Sequence, residues 1–294
     1  CQIMTGKNTD FQQNITALGT ASVQKLTLNS GGRVIDLHRP KVMGIINLTP
    51  DSFYQSAGRK NELPSNKQLL KEAEKHLLEG AYFLDLGGYS SRPGAEHVSE
   101  KEEAQRVLPA IKALAKEFPE ALISVDTFRS EIAKKSIGEG AHLINDISAG
   151  QLDERMFETI AQLQVPYILM HLKGTPQTMQ SLANYSYLVT EVFSYFSEKI
   201  TLLNQLGANQ LIIDPGFGFA KTLEHNYELL DRFQKLHSLG FPLLAGVSRK
   251  SMIYKALDST PAEALNGTTV LHTIAVQKGA HILRVHDVKP AVEA

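Results

Sequence analysis

The sequence predicts an α/β protein: a (β/α)8 TIM barrel with an N-terminal β-hairpin and a flexible N-terminal extension. Three observations carry this. Eight short apolar runs are separated by helical stretches, the runs are entered in two alternating ways, and each ends in something polar. The runs are KVMGIIN (41–47), YFLDLG (82–87), LISVD (122–126), HLIND (142–146), YILMH (167–171), LIIDP (211–215), LLAGVS (243–248) and HILRVH (281–286). They are too continuous for one-faced strands, as strands buried on both faces should be. The first, third, fifth and seventh follow Pro40, Pro119, Pro166 and Pro242, while the others follow Gly80-Ala81, Gly140-Ala141, Gly207-Ala208 and Gly279-Ala280. Glycine there is the expected residue just past a helix end, where a left-handed backbone is needed. The alternation reads as a worn (βα)2 unit used four times. Strands alternating with helices mean a barrel or a doubly wound sheet, and the even count with the repeat favours the barrel.

Taken in order, residues 1–22 are polar and aperiodic and read as the extension, and residues 23–294 as a single barrel unit. SVQKLTLNSGGRVIDL gives two alternating runs around Asn-Ser-Gly-Gly, a hairpin signal. NKQLLKEAEKHLLEG and LVTEVFSYFSEKITLLNQLG show helical periodicity. STPAEALNGTTVLHTIAVQKG predicts a helix opening at Thr260, with Pro261 first and Glu263 closing a capping box. Only six residues follow Val288, so the eighth helix is expected to be truncated.

Composition excludes several classes. With 43% hydrophobic and 21% charged residues, the 294-residue chain suits a large buried core. Its formal net charge of -1 gives no basic field for nucleic acid or an anionic membrane. No apolar run approaches the ~20 residues of a membrane span. Cys1 is the one cysteine, so no disulfide forms within the chain. A chain beginning with Cys reads as a fragment or a processed chain, a lipid-modified cysteine being the alternative. The default location is cytoplasmic.

The site is expected at the C-terminal ends of the strands. Those ends carry Asn47, Asp85, Asp126, Asn145 with Asp146, His171, Asp214, Ser248-Arg249-Lys250, and Arg284 with His286. Asp126, Asn145 and Asp214 offer acceptors and Lys250 a cation. That set suits a flat heterocycle with an amino-amide edge. Arg284 and His286 lie two apart and share a face of the last strand. A buried arginine needs an anion, and phosphate fits a bidentate guanidinium. The loops NLTPDSFYQSAGR and GGYSSRPGAEHVS leave the same rim and read as lids. His142 and His171 read as structural.

The motifs GIINLTPDSF, DLGGYSSRPGA, SVDTF, INDIS, LMHLKGTPQTMQ, IIDPGFGFAKT, GVSRKS and RVHDV together resemble the dihydropteroate synthase family across residues 31–288. The resemblance implies condensation of 6-hydroxymethyl-7,8-dihydropterin pyrophosphate with p-aminobenzoate, assisted by Mg²⁺, in a homodimer that sulfonamides inhibit. It assigns Asp126, Asn145, Asp214 and Lys250 to the pterin, and Asn47, Arg92, Arg284 and His286 to pyrophosphate, with Asn47 on the metal. Phe53, Ser91, Pro93, Phe219 and Ser251 match the p-aminobenzoate side, and Arg92 matches that side as well as the pyrophosphate group. Asp126, Lys250, Arg284 and His286 are the expected catalytic groups.

Two stretches depart from the family pattern. Tyr54-Gln55-Ser56-Ala57 stands where Ser-Asp-Gly-Gly is usual, and Tyr89-Ser90-Ser91 where Glu-Ser-Thr is usual. The first removes an acidic residue from the closing loop, and the second makes the p-aminobenzoate side slightly roomier. A pterin-dependent corrinoid methyltransferase would share the acceptors but has no use for Arg284, His286 and SRKS. A non-catalytic pterin-binding homologue predicts loss of the leaving-group residues, which are intact. A sulfonamide-insensitive version of the same enzyme stays open.

Overall fold

The computed structural model describes residues 26–49, 65–90 and 97–294. The expected extension and the tip of the first long loop lie outside them, as do Phe53, Ser91, Arg92 and Pro93. Strands β1 (Thr27–Ser30) and β2 (Arg33–Asp36) pair antiparallel across Gly31 and Gly32. Both glycines have positive φ, 56° and 89°, which a two-residue hairpin turn of this hand requires. Alternation then puts Leu28, Ile35 and Leu37 on one face, each at most 1% exposed.

That face closes the bottom of the barrel. Eight strands follow: β3 (Lys41–Asn47), β4 (Phe83–Gly87), β5 (Leu122–Asp126), β6 (Leu143–Asp146), β7 (Tyr167–Met170), β8 (Leu211–Asp214), β9 (Leu244–Ala245) and β10 (Ile282–Val285). All pair in parallel in the order β8-β7-β6-β5-β4-β3-β10-β9. A parallel bridge between Ile213 and Leu243, with Ile213 N–H donating to Pro242 O at 2.9 Å, closes the ring. Each strand gives one side chain near its start to the cluster under the hairpin: Met43, Phe83, Leu122, Leu143, Ile168, Ile212, Leu244 and Ile282. The bottom is therefore a packed plug, and the polar strand ends open at the other face.

The alternating entries have their expected causes. Gly80, Gly140, Gly207 and Gly279 all sit at positive φ, between 83° and 110°. They come immediately after the caps of α1 (Asn66–Leu78), α3 (Ser130–Gly138), α5 (Leu188–Gln205) and α8 (Leu265–Gln277). Pro166 and Pro242 give the sheet their carbonyls, so the missing N–H costs nothing at a strand start. The remaining helices are α2 (Glu100–Glu117), α4 (Met156–Leu163), α6 (Leu223–Asp231), α7 (Ser251–Tyr254) and α9 (Val288–Glu293).

Two expectations need correction. The capping contacts between Thr260 and Glu263 form, but α8 starts later, at Leu265. The Arg249 guanidinium takes the carbonyls of Pro261 and Ala262, both at 2.8 Å, and holds that segment as a turn. The seventh run forms a strand only over Leu244–Ala245, with Leu243 bridged to Ile213, because the chain then turns to bring residues 249 and 250 to the rim.

Candidate active site

β10 presents Arg284 into the bore, and the guanidinium reaches past β3. Its Nε donates to Asp85 Oδ2 on β4 at 2.6 Å, and its Nη2 to Asp126 Oδ2 on β5 at 2.7 Å. Asp85 is fully buried and also accepts from Ser124 Oγ and, at 3.1 Å, from Asn145 Nδ2. The anion facing Arg284 is thus a pair of carboxylates belonging to the barrel itself. Inward-facing residues of neighbouring strands meet at one level, and the register sets Asp85 beside Ser124 and Asp126 beside Asn145.

This arrangement shifts the ionisations. Burial raises Asp126 to about 7, with Arg284 pulling down and Asp85 pushing up. Burial opposes the charge of Arg284, but Asp85 and Asp126 more than offset it and hold the guanidinium firmly protonated.

A second group lies across the mouth. Asp214 ends β8 and accepts from Gly216 N–H at 2.8 Å. Lys250 donates to Phe217 O, and its Nζ stands 4.5 Å from the centre of the half-buried Phe219 ring. Burial lowers Lys250 to about 8 against the attraction of Asp214, and burial raises Asp214 against Lys250. Lys250 therefore keeps its charge at neutral pH but gives it up more readily than an ordinary lysine.

The loops after β9 and β10 are tied together. Arg249 sits at φ 52°, and its Nε and Nη2 grip both oxygens of Asp287 at 2.7 and 2.9 Å. Ser248 Oγ lies 3.1 Å from His286 Nδ1 and accepts from the His286 N–H at 3.2 Å. The left-handed turn at Arg249 aims residue 249 at Asp287 while Lys250 points to the mouth.

Of the residues expected from sequence, Asn47, Asp126, Asn145, Asp214, Lys250 and Arg284 lie at the strand ends around this mouth, with Phe219 and Ser251 on its β8 and β9 side. His286 stands just beyond β10 and is exposed. Asp146 points the other way, accepting from Ser148, Gly150 and the Tyr167 hydroxyl. His171 is buried beside Lys221. Tyr89, the departure in the second loop, packs edge-on against Phe128 with ring centres 5.1 Å apart.

The sequence shows Asp85 at a strand end without assigning it a role, and it does not single out Ser124 or Lys221. An acid and a hydroxyl inside otherwise apolar runs were the available signal.

Residues 43–286 match the family model described as "Pterin binding enzyme". The chain is 45% identical to dihydropteroate synthase of Escherichia coli K12 over 271 residues, covering 92% of this chain and 94% of that one. The chain belongs to the dihydropteroate synthase family. It is accordingly a transferase of folate synthesis. A dihydropteroate synthase from Yersinia pestis, solved as a sulfonamide drug complex, superposes with a TM-score of 0.85 at 42% identity. That match covers 91% of this chain and 96% of the other. The synthase of Xanthomonas albilineans, solved with 4-aminobenzoic acid, gives 0.83 at 37% identity over 91% of this chain and 95% of the other.

Proposed function

We propose that this mouth condenses 6-hydroxymethyl-7,8-dihydropterin pyrophosphate with p-aminobenzoate. The observation that carries the reading is the meeting of Asp126, Asn145, Asp214, Lys250 and Arg284 at one rim, with Arg284 already set between two carboxylates. Asp126, Asn145 and Asp214 supply acceptors for the amino-amide edge of the pterin and Lys250 a donor for its carbonyl. The methylene C–O bond breaks, the electron pair leaves with pyrophosphate, and the neutral aromatic amine attacks the methylene. A C–N bond forms and the amine proton passes to solvent, so no strong base is required.

Arg284 spends its Nε and Nη2 donors on Asp85 and Asp126, and no described residue engages Nη1. Nη1 is then available to the leaving diphosphate, whose charge grows in the transition state, and His286 and Arg92 are the further groups the reading assigns to it. The Asp126 carboxylate stabilises the electron-poor methylene left behind.

For magnesium, the described residues hold no group of three His, Cys, Asp or Glu placed for a metal. Asn47 Oδ1 and Asp126 Oδ2 each lie 3.8 Å from where a Cβ on Gly87 would stand, so two oxygens flank Gly87, the second already bonded to Arg284. This fits an ion carried mainly by diphosphate oxygens and touched by Asn47, since magnesium takes few protein ligands. When bound it supplies positive charge to the leaving group.

Phe53, Ser91, Pro93, Phe219 and Ser251 form the p-aminobenzoate side in this reading, where sulfonamides would compete. A homodimer in the cytoplasm completes it. The test is pyrophosphate release from the dihydropterin substrate with Mg²⁺, with and without p-aminobenzoate. Release that requires p-aminobenzoate, with dihydropteroate appearing in step, is the expected result. Pterin binding without release under either condition would overturn it in favour of a non-catalytic or methyl-transferring homologue.

A further inference from the structure

The loop after β8 contains a lysine that the reaction above does not use. Lys221 is 4% exposed and takes part in no ion pair among the described residues. Its Nζ donates to Gly216 O and Phe219 O, both at 3.0 Å, and stands 2.9 Å from His171 Nδ1. With Lys221 donating, Nδ1 is the accepting nitrogen and the ring proton belongs on Nε2.

Lysine is a costly way to fill a core, because its ammonium must be desolvated. Burial draws its pKa down to about 7, with Asp214 opposing and Lys250 and Lys173 reinforcing the fall. Methionine would occupy the space without that cost. What methionine cannot do is draw two carbonyls and an imidazole to one point.

Those carbonyls belong to an awkward piece of backbone. Gly216, Gly218 and Ala220 alternate with the two phenylalanines at φ values of 70°, 80° and 48°. A Cβ on Gly216 would come within 2.2 Å of His171 O, so the loop is pressed against β7. Asn226 Oδ1 accepts from Gly218 N–H at 2.6 Å, and the Tyr185 hydroxyl donates to Ala220 O at 2.9 Å. Lys221 bonds the first turn of this path, at Gly216, to the last phenylalanine, Phe219. Between those anchors lies the Phe217 carbonyl that receives Lys250, and the second anchor carries the Phe219 ring beside it.

We propose that Lys221 is a positioning residue: by clamping Gly216 and Phe219 to His171 it presets the Phe219 ring for the aromatic amine. Lys250 has the attraction of Asp214 to hold it as well, whereas the placement of Phe219 follows the loop. Loss of the clamp should therefore fall mainly on the amine side. This rests on the reading that the amine binds beside Phe219 and Lys250.

The experiment compares wild type with Lys221→Met, varying p-aminobenzoate at saturating dihydropterin pyrophosphate and then the reverse, with thermal unfolding in parallel. The expected result is a rise of about tenfold in KM for p-aminobenzoate, roughly the loss of one buried charged hydrogen bond. The KM for the pterin substrate should stay within about threefold. Unchanged KM values, with activity falling only as the folded fraction falls, would overturn the inference and leave Lys221 a structural residue. If Lys221→Met does not fold, Tyr185→Phe removes one hydroxyl from the same loop. It should raise the same KM by a few-fold, and an unchanged value overturns the inference. Wild type that makes no dihydropteroate from p-aminobenzoate fails the underlying reaction, a result visible before any variant is measured, and takes the inference with it.

Discussion

Arg284 Nε and Asp85 Oδ2 lie 2.6 Å apart across the bore, joining strands two places apart in the ring. Asp85 is fully buried and Arg284 largely so, and a buried charge stripped of its partner costs several kcal/mol. Asp85→Ala is therefore expected to lower stability by about 3 kcal/mol and to abolish turnover. Ser124→Ala, which removes one donor to the same carboxylate, should cost about 1 kcal/mol and leave measurable activity. Chemical denaturation alongside product formation checks both; equal effects from the two would deny the carboxylate its special place.

A pH dependence follows from Asp126 and Lys250. In the proposed reaction Asp126 works as a carboxylate and Lys250 as an ammonium; burial raises the first to about 7 and lowers the second to about 8. The kcat/KM of free enzyme should thus trace a narrow bell, rising through about 7 and falling through about 8. The sign for stability is the reverse of an ordinary paired acid. With the Asp126 pKa raised from 3.8 to about 7, the folded state binds more protons than the unfolded one in that interval. The Asp126 contribution to stability therefore falls as pH rises from about 4 to about 7 and is flat above. Asp126→Asn should remove that slope, and Asp126→Ala or Lys250→Ala should abolish turnover with the fold intact.

Arg249 and Asp287 form a fork-to-carboxylate pair that joins the last two loops. Lysine cannot reproduce two parallel donors, nor hold the carbonyls of Pro261 and Ala262. Arg249→Lys should reduce kcat by about tenfold or more, through misplacement of Lys250 and His286, while stability falls by about 1 kcal/mol. Steady-state kinetics with a melting curve would separate the two effects.

How far the sequence led depended on the kind of signal. Gly80, Gly140, Gly207 and Gly279 announced helix ends because the left-handed residue there is chemically distinct, and the structure places all four so. The strand-end polar residues were legible because an acid or amide in an apolar run has few bland explanations. The partner of Arg284 was not, since register across non-neighbouring strands is set by barrel closure and not by local pattern. Lys221 hid for a related reason: only the folded loop shows that its ammonium faces Gly216 O and Phe219 O. Thr260 misled because its capping contacts form locally, while Arg249, far along the chain, decides where the helix begins.

The two ends of the barrel should separate in their responses. Leu28 and Ile35 lie under the bottom of the bore and touch the first residues of the strands, far along each strand from the rim. Truncating either removes a fully buried aliphatic side chain, a loss of about 2–4 kcal/mol when the site cannot collapse. The hairpin is tied further by Arg33, which donates to the carbonyls of Pro119 and Glu120 and to the Glu120 carboxylate. Leu28→Ala and Ile35→Ala are accordingly expected to lower the midpoint of unfolding while both KM values and kcat of the folded enzyme stay within about twofold. A large change in either KM would mean that the plug is coupled to the rim through the strands, and that the bottom of this barrel does more than hold it closed.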